Sequence, residues 1–172
     1  MQVSAIRVEE EDPGSADARL CLASYFEELG IRFQTGFDPA KSISATADEL
    51  RPPAGIFFVA RLDGRAVGCG ALKARPDGIG EVKRMWVDPV ARGLGIGRRL
   101  LTTLEARAQR FGLRLLRLET NHSLVEAQAL YRSSGYREVL PFNDEPYAHH
   151  WFEKPLRESG MLTPVHKRGA RP

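Results

Sequence analysis

No apolar run in the 172-residue sequence approaches the roughly 20 residues that a membrane-spanning helix needs, and the longest, around Gly55 to Ala60, falls far short of it. Cysteine is scarce as well. Cys21 and Cys69 are the only two, and they form neither a CxxC pair nor a zinc-ligand spacing. A disulfide framework and a cysteine-based metal site are therefore excluded, and two reduced core thiols are expected. The opening stretch MQVSAIRVEEEDPG lacks both a basic n-region and an apolar h-region. It gives no export signal, so the expected location is cytoplasmic and no membrane partner is expected. Internal repeats and low-complexity blocks are also missing.

What is present fits a soluble globular protein: 42% apolar and 27% charged residues in a length that suits one domain. That domain is expected over residues 1–156. Residues 157–172 are polar, basic and without periodicity, and are expected to form a disordered tail. Net charge is only +3, but it is unevenly placed. Residues 1–31 carry seven acids against Arg7 and Arg19, whereas residues 92–117 carry seven arginines against Glu105 alone. A dense arginine segment suits a polyanion, either nucleic acid or a phosphate-bearing cofactor, and a solvated basic helix face gives the same pattern.

Periodicity orders the elements. Ser4 to Glu9 alternates loosely and predicts a first strand. Ala16 to Leu29 shows helical spacing and ends at Gly30. Ile31 to Pro53 has no clear period; a long irregular loop with one short helix is expected, and a segment of that kind inside a small domain is usually functional. GIFFVARL, an Asp63-Gly64 turn and RAVGCGALKA predict a hairpin. RPDG then turns the chain into a third antiparallel strand, IGEVKRMWV. Gly95 to Phe111 places Ile96, Leu100, Leu101, Leu104 and Ala108 on one helical face, with Gly112 as its stop. LRLLRLET follows as a strand. Ser123 and Glu126 predict a capping box that opens a helix closed by Gly135, and short strands are expected at Tyr136 to Val139 and Ala148 to Leu156. Three meander strands feeding a strand–helix–strand unit predict a mixed α/β sheet, with IGEVKRMWV and LRLLRLET as parallel neighbours.

The chemistry concentrates where the third meander strand meets its helix, in VDPVARGLGIGRRLL. Gly93, Gly95 and Gly97 remove side chains where the helix begins, leaving backbone N–H groups and the positive end of the helix dipole open to an anion. Arg92, Arg98 and Arg99 add charge. A P-loop requires GK[ST], but Gly97 is followed by Arg98-Arg99. A dinucleotide fingerprint requires G-x-G-x-x-G, but the spacing here is G-x-G-x-G after a meander. Tight strand–helix packing is the remaining, purely structural use of the glycines.

Arg92-Gly93-Leu94-Gly95-Ile96-Gly97 matches the R/Q-x-x-G-x-G/A motif of the GNAT superfamily of N-acetyltransferases, which the sequence resembles over about Ser4 to Leu156. MWVDP resembles the family's fourth strand and its exit, and ALYRSSGYRE resembles its later LYxxxGF helix and strand. The resemblance implies a central mixed sheet of six to seven strands flanked by about four helices. It also implies acetyl-CoA as co-substrate and acetyl transfer to a primary amine, on a small molecule or a peptide, within a ternary complex. The N–H groups of Gly93 to Arg98 would cradle the pyrophosphate. Met85, Trp86 and Val87 would run beside the pantetheine arm, with a backbone N–H, that of Met85, facing the developing oxyanion. Asn121 would touch the pantetheine or serve as a turn residue. One position departs from the pattern: Leu124 stands where the family often has asparagine. Related proteins are often dimers.

Two side chains carry the implied chemistry. Tyr131 corresponds to the tyrosine that protonates the departing thiolate. Glu81 lies eleven positions before Arg92, as the catalytic glutamate does in some members, and would take the amine proton. On an unbroken strand Glu81, Lys83, Met85 and Val87 share a face. His149 and His150 are adjacent on a strand, point to opposite faces, and so do not chelate one ion; one of them faces the acceptor as an alternative base, or both belong to a strand of mixed faces. The acid-rich first helix would favour a cationic acceptor. A CoA-binding module without turnover and a nucleic-acid-binding protein are the competing readings. No aromatics are interleaved with the arginines, so nucleic acid is not the expected partner.

Overall fold

The computed structural model describes residues 4–157; the expected tail lies, apart from Arg157, outside the described residues. Strands β1 (Ile6–Glu10), β2 (Gly55–Leu62), β3 (Arg65–Ala74), β4 (Ile79–Val87), β5 (Leu115–Thr120), β6 (Arg137–Val139) and β7 (His150–Pro155) form one seven-stranded sheet in the order β1-β2-β3-β4-β5-β7-β6. Every neighbouring pair is antiparallel except β4 and β5, which are parallel. Three α-helices, α1 (Ala16–Arg32), α2 (Ile96–Arg110) and α3 (Val125–Ser133), accompany the sheet among the described residues. The expected fourth is replaced by short 3-10 turns, including Pro39–Lys41 and Asp48–Leu50 in the segment without a period.

The sheet is buried on both faces, which explains why GIFFVARL is a continuous apolar run rather than an alternating one. Ile56, Phe58 and Ala60 of β2 join Leu72, Leu116, Leu118, Phe152 and the Leu100–Leu104 stripe of α2. Phe57 and Val59 face the other way, into a smaller cluster with Ala18 and Cys21 of α1, Cys69, Ala71 and Trp86. Both cysteines are reduced and buried there. The β2–β3 hairpin turns on Asp63 and Gly64, whose φ values of 49° and 85° both lie in the left-handed region, as the Asp-Gly dipeptide predicts.

Gly55 opens β2 at a close backbone approach: a Cβ there would collide with the carbonyl oxygens of Glu49 and Leu72. These are main-chain atoms of a paired strand and a tight turn and cannot swing aside. Gly55→Ala is therefore expected to cost about 3 kcal/mol of stability, measured as a lower urea midpoint at unchanged slope. A shift under 0.5 kcal/mol would mean that the turn relaxes around the added methyl.

Two local expectations fail. Gly30 does not stop α1: the helix runs to Arg32, and the Phe33 N–H bonds to the Leu29 carbonyl. A helical glycine costs only about 1 kcal/mol, which is offset here by burial of Leu29 and Phe33 on either side. Ser123 and Glu126 form no capping box. The Ser123 hydroxyl and N–H both bond to Asn121 Oδ1, at 2.8 and 3.0 Å, while Glu126 pairs with Arg32 at 2.9 Å. Helix α3 starts after Leu124 with no side-chain cap. An asparagine turn and an arginine partner have outcompeted the reciprocal cap.

Candidate active site

Strands β4 and β5 are hydrogen-bonding neighbours only at Ile79, Gly80 and Glu81, which face Leu115, Leu116 and Arg117. Beyond Glu81 they splay, so the β5-facing edge of β4 from Val82 to Val87 is left without ladder partners. Within the splay β4 carries a bulge: Ala71 faces Lys83 and Cys69 faces Trp86, so three steps on β4 match two on β3. Arg84 supplies the extra residue at φ 59°.

The bulge changes which residues share a face. Val82 and Met85 both pack toward α2, and Trp86 packs toward α1. Glu81 and Lys83 therefore do not share a face with Met85 and Val87, contrary to the unbroken-strand expectation; one inserted residue inverts the alternation beyond it.

The glycine-rich turn forms the mouth of the splay. Gly93 and Gly95 sit at φ 84° and 80°, and a Cβ at either would meet nothing within 4 Å, so their glycine character answers a backbone conformation and an open space in front of it. The backbone N–H groups of residues 93–98 have no acceptor among the described residues. Six N–H groups at the start of a 15-residue helix form a cradle of open donors suited to an anion. Arg98 stands beside it, held by Ser133 and Ser134 at 2.8 and 3.2 Å. The Arg92 guanidinium instead bonds to Glu28 at 2.6 Å and to the Val87 carbonyl at 3.0 Å. Its motif position ties α1 to the exit of β4. Leu94 is half exposed and lines no cavity, so it contributes only backbone.

A cleft of about 550 Å³ runs from this cradle along Met85, Trp86 and Val87 to Tyr131, with Glu28, Arg92, Ile96 and Gly97 in its walls. A second, smaller cavity of about 110 Å³ lies on the far side, among Phe33, Phe37, Ile43, Lys83, Arg84, Glu119, Glu145 and Tyr147. Tyr25, Leu29, Met85, Leu124, Ala127 and Tyr131 line both. The two compartments therefore meet at a wall of six residues that includes two tyrosines and one methionine. The Tyr131 hydroxyl has no hydrogen-bond partner among the described residues, and burial pushes its pKa well above the ordinary tyrosine value. It stays protonated at neutral pH. Tyr25 is pushed up to about 12, also by burial.

Glu81 lines neither cavity. Lys83, Arg117 and Arg75 stand 3.6, 3.5 and 3.3 Å from it, and despite a burial penalty that acts in the opposite direction the nearby cations, Lys83 foremost, hold its pKa below the ordinary glutamate value. Two carboxylates line the smaller cavity, Glu119, joined to Lys83 at 3.2 Å, and Glu145. Asn121 also faces that side and not the cofactor cleft. Its side chain is fully engaged as a turn, donating to the Tyr147 carbonyl at 2.7 Å and accepting from Ser123. His149 is exposed, stacks edge-on with His122 at 2.8 Å between Nδ1 atoms, and has its pKa lowered by desolvation and the neighbouring His122 and His150. His150 bonds Glu138 at 2.7 Å. Neither lines a cavity, and no cluster of metal-ligating side chains exists among the described residues.

Of the acids in residues 1–31, none lines the smaller cavity. Glu11 and Asp17 hold Arg61, and Asp12 holds Arg51. The expected acidic acceptor wall is absent because ion pairs within the fold absorb it. Sequence reasoning missed Tyr25, Arg84, Glu119 and the aromatic group of Phe33, Phe37 and Tyr147. Glu119 alone had a readable signal, as an acid ending an otherwise basic strand.

Comparison with known proteins agrees with this geometry. The acetyltransferase (GNAT) family profile matches residues 22–136. An IAA acetyltransferase of Azospirillum brasilense is 47% identical over 105 residues, covering 58% of this chain and 67% of its own. The crystal structure of a Klebsiella pneumoniae protein assigned to the acyl-CoA N-acyltransferases superposes with a TM-score of 0.71 at 30% identity, covering 88% of this chain and 98% of that one. A Bacillus anthracis protein assigned as a streptothricin acetyltransferase, solved with acetyl-CoA bound, shares the fold at a TM-score of 0.58 and 20% identity, over 66% of this chain and 70% of its own. The matched segment carries the glycine turn, the splayed strands and Tyr131 together, and the chain belongs to the GNAT family of acetyltransferases, acyltransferases whose co-substrate is acetyl-CoA.

Proposed function

We propose that the protein transfers the acetyl group of acetyl-CoA directly to the primary amine of a small acceptor bound in the smaller cavity. The observation that carries this reading is the meeting of two compartments at Tyr131: a long cleft beginning at a cradle of open N–H groups, and a short one lined by the carboxylates of Glu119 and Glu145. Acetyl-CoA supplies the acetyl thioester. The N–H groups of residues 93–98 hold its phosphates, and the unpaired edge of β4 near Met85 offers donors to the negative charge developing on the carbonyl oxygen. The small volume on the acceptor side favours a small molecule over a protein segment.

The proton path uses groups already in place. An alkyl ammonium of pKa near ~10.4 must lose a proton before it attacks, and Glu119 takes it, directly or through water. Glu81 acts one step behind, as a positioning residue that shares Lys83 with Glu119. The new C–N bond forms as the C–S bond breaks and Tyr131 gives its proton to the departing sulfur; the first amine proton leaves from Glu119 to solvent, and the second, shed by the nitrogen once it is acylated, returns to Tyr131.

The test is calorimetric titration with acetyl-CoA, followed by an amine screen read as free-thiol release. Absence of acetyl-CoA binding by the intact protein would overturn the reading. Glu119→Gln separates the base from its surroundings. A general base contributes about 10²-fold or more, so kcat near neutral pH is expected to fall by about that factor. The deficit should shrink as pH rises toward the amine pKa, because the neutral amine then forms without help. A deficit that stays constant with pH would assign Glu119 a purely structural role.

A further inference from the structure

Arg84 stands out from the other charged groups around the acceptor cavity. Its guanidinium donates through Nη2 to the Ser44 hydroxyl at 2.7 Å and to the Ala45 carbonyl at 3.1 Å, and lies 4.7 Å from the centre of the Phe26 ring. All three partners are neutral. Nε and Nη1 have no acceptor, and no carboxylate lies within ion-pair distance, among the described residues. The other charged groups in that cavity are engaged, although Glu145 has no counter-ion among the described residues. Lys83 is paired with Glu119, and Glu145 accepts from the Ser42 hydroxyl and the N–H groups of Ile43 and Tyr147. Burial lowers the Arg84 pKa, with no carboxylate opposing that loss of hydration.

A half-buried cation with unfilled donors and no counter-ion is suited to receive an anion. The backbone enforces its direction: Arg84 is the bulged residue, held at φ 59°, a conformation that L side chains rarely adopt. Around it the cavity is aromatic. Phe37 and Tyr147 lie 4.9 Å apart between ring centres, Phe33 and Tyr147 5.7 Å, and Phe26 stacks on Phe37.

We propose that the acceptor is an amine that also bears a carboxylate on an apolar body, an apolar amino acid being the simplest case, with its carboxylate on Arg84, its amine toward Glu119 and its side chain among Phe33, Phe37 and Tyr147. This assignment rests on the acetyl-transfer reading and names its substrate class. Planar guanidinium recognition of a carboxylate is geometry-dependent, so lysine at this position is not equivalent.

The experiment uses the intact protein saturated with CoA, titrated with N-acetyl-L-phenylalanine and with its carboxamide. The acid is expected to bind at least tenfold more tightly than the amide. In turnover, L-phenylalanine is expected to be favoured over phenethylamine. Arg84→Met should raise KM for L-phenylalanine about 10- to 100-fold, the range of one charge-assisted contact, while leaving KM for phenethylamine and the Kd of acetyl-CoA within twofold. Arg84→Lys should recover only part of the loss. Equal binding of acid and amide, or binding of neither, to a protein that does bind CoA would overturn the carboxylate assignment and leave acetyl transfer standing. Failure to bind CoA at all would remove both. The comparison of acid and amide needs no variant, so it stands even if Arg84→Met does not fold.

Discussion

Gly95→Glu is expected to abolish acetyl-CoA binding at concentrations that saturate the wild-type protein. Two effects act together. Gly95 holds φ 80° as the N-cap of α2, so any side chain there is strained, and the relaxation that relieves it turns the neighbouring N–H groups away from their common focus. The carboxylate also brings a negative charge to the place where the phosphates sit. Loss of two charge-assisted hydrogen bonds alone, at about 1.5–3 kcal/mol each, gives a Kd increase on the order of 100-fold or more. Gly95→Ala introduces the strain without the charge and should bind with an intermediate Kd. Position 95 is open space and lies outside the core, so both variants should keep the circular dichroism spectrum of the wild type. Wild-type affinity in Gly95→Glu would mean that the phosphates do not use this turn.

Tyr131→Phe is expected to lower kcat by about 10²-fold while leaving the Kd of acetyl-CoA within twofold. General acids contribute about 10²–10⁴. The low end applies because a thiol with a pKa near ~8.5 is already a fair leaving group at neutral pH. Stability provides the control. The Tyr131 ring packs against Tyr136 and Phe152, at 5.9 and 6.0 Å between centres, and phenylalanine preserves both contacts. The hydroxyl has no protein partner among the described residues, so its removal should leave the urea midpoint unchanged or slightly raised. An unchanged kcat would reduce Tyr131 to a core residue, and a large loss of stability would point to a buried hydrogen bond instead of a proton donor.

Much of the frame is legible without coordinates because it depends on local chemistry. The Asp63-Gly64 turn, the α2 stripe and the glycine-rich start of α2 each follow from residues within one turn or one strand of each other, and element order gave the mixed sheet; the cofactor and the acid Tyr131 were expectations implied by the resemblance to the GNAT superfamily. The family stands on the comparisons, and its co-substrate follows from the family. Leu94 was expected to offer its backbone N–H, and its side chain faces solvent; Asn121 was expected to touch the pantetheine or to serve as a turn residue, and its side chain is held in a hydrogen-bonded turn.

The sequence by itself determined where open donors for an anion gather, since bare N–H groups at a helix start need only glycines in the right order. Tertiary structure decided which carboxylate and which cation reach the acceptor. A single bulge at Arg84 inverts the side-chain alternation beyond it, separating Glu81 from the cleft residues and turning an arginine into the cavity. Partner choice decided the rest. Asp17 and Glu28 of α1 are drawn into pairs with Arg61 and Arg92 by contacts far apart in the chain, and Glu119 enters the site only because β5 splays from β4 two residues before it. Register, bulges and long-range ion pairs depend on which strands and helices meet, and no window of sequence contains that information.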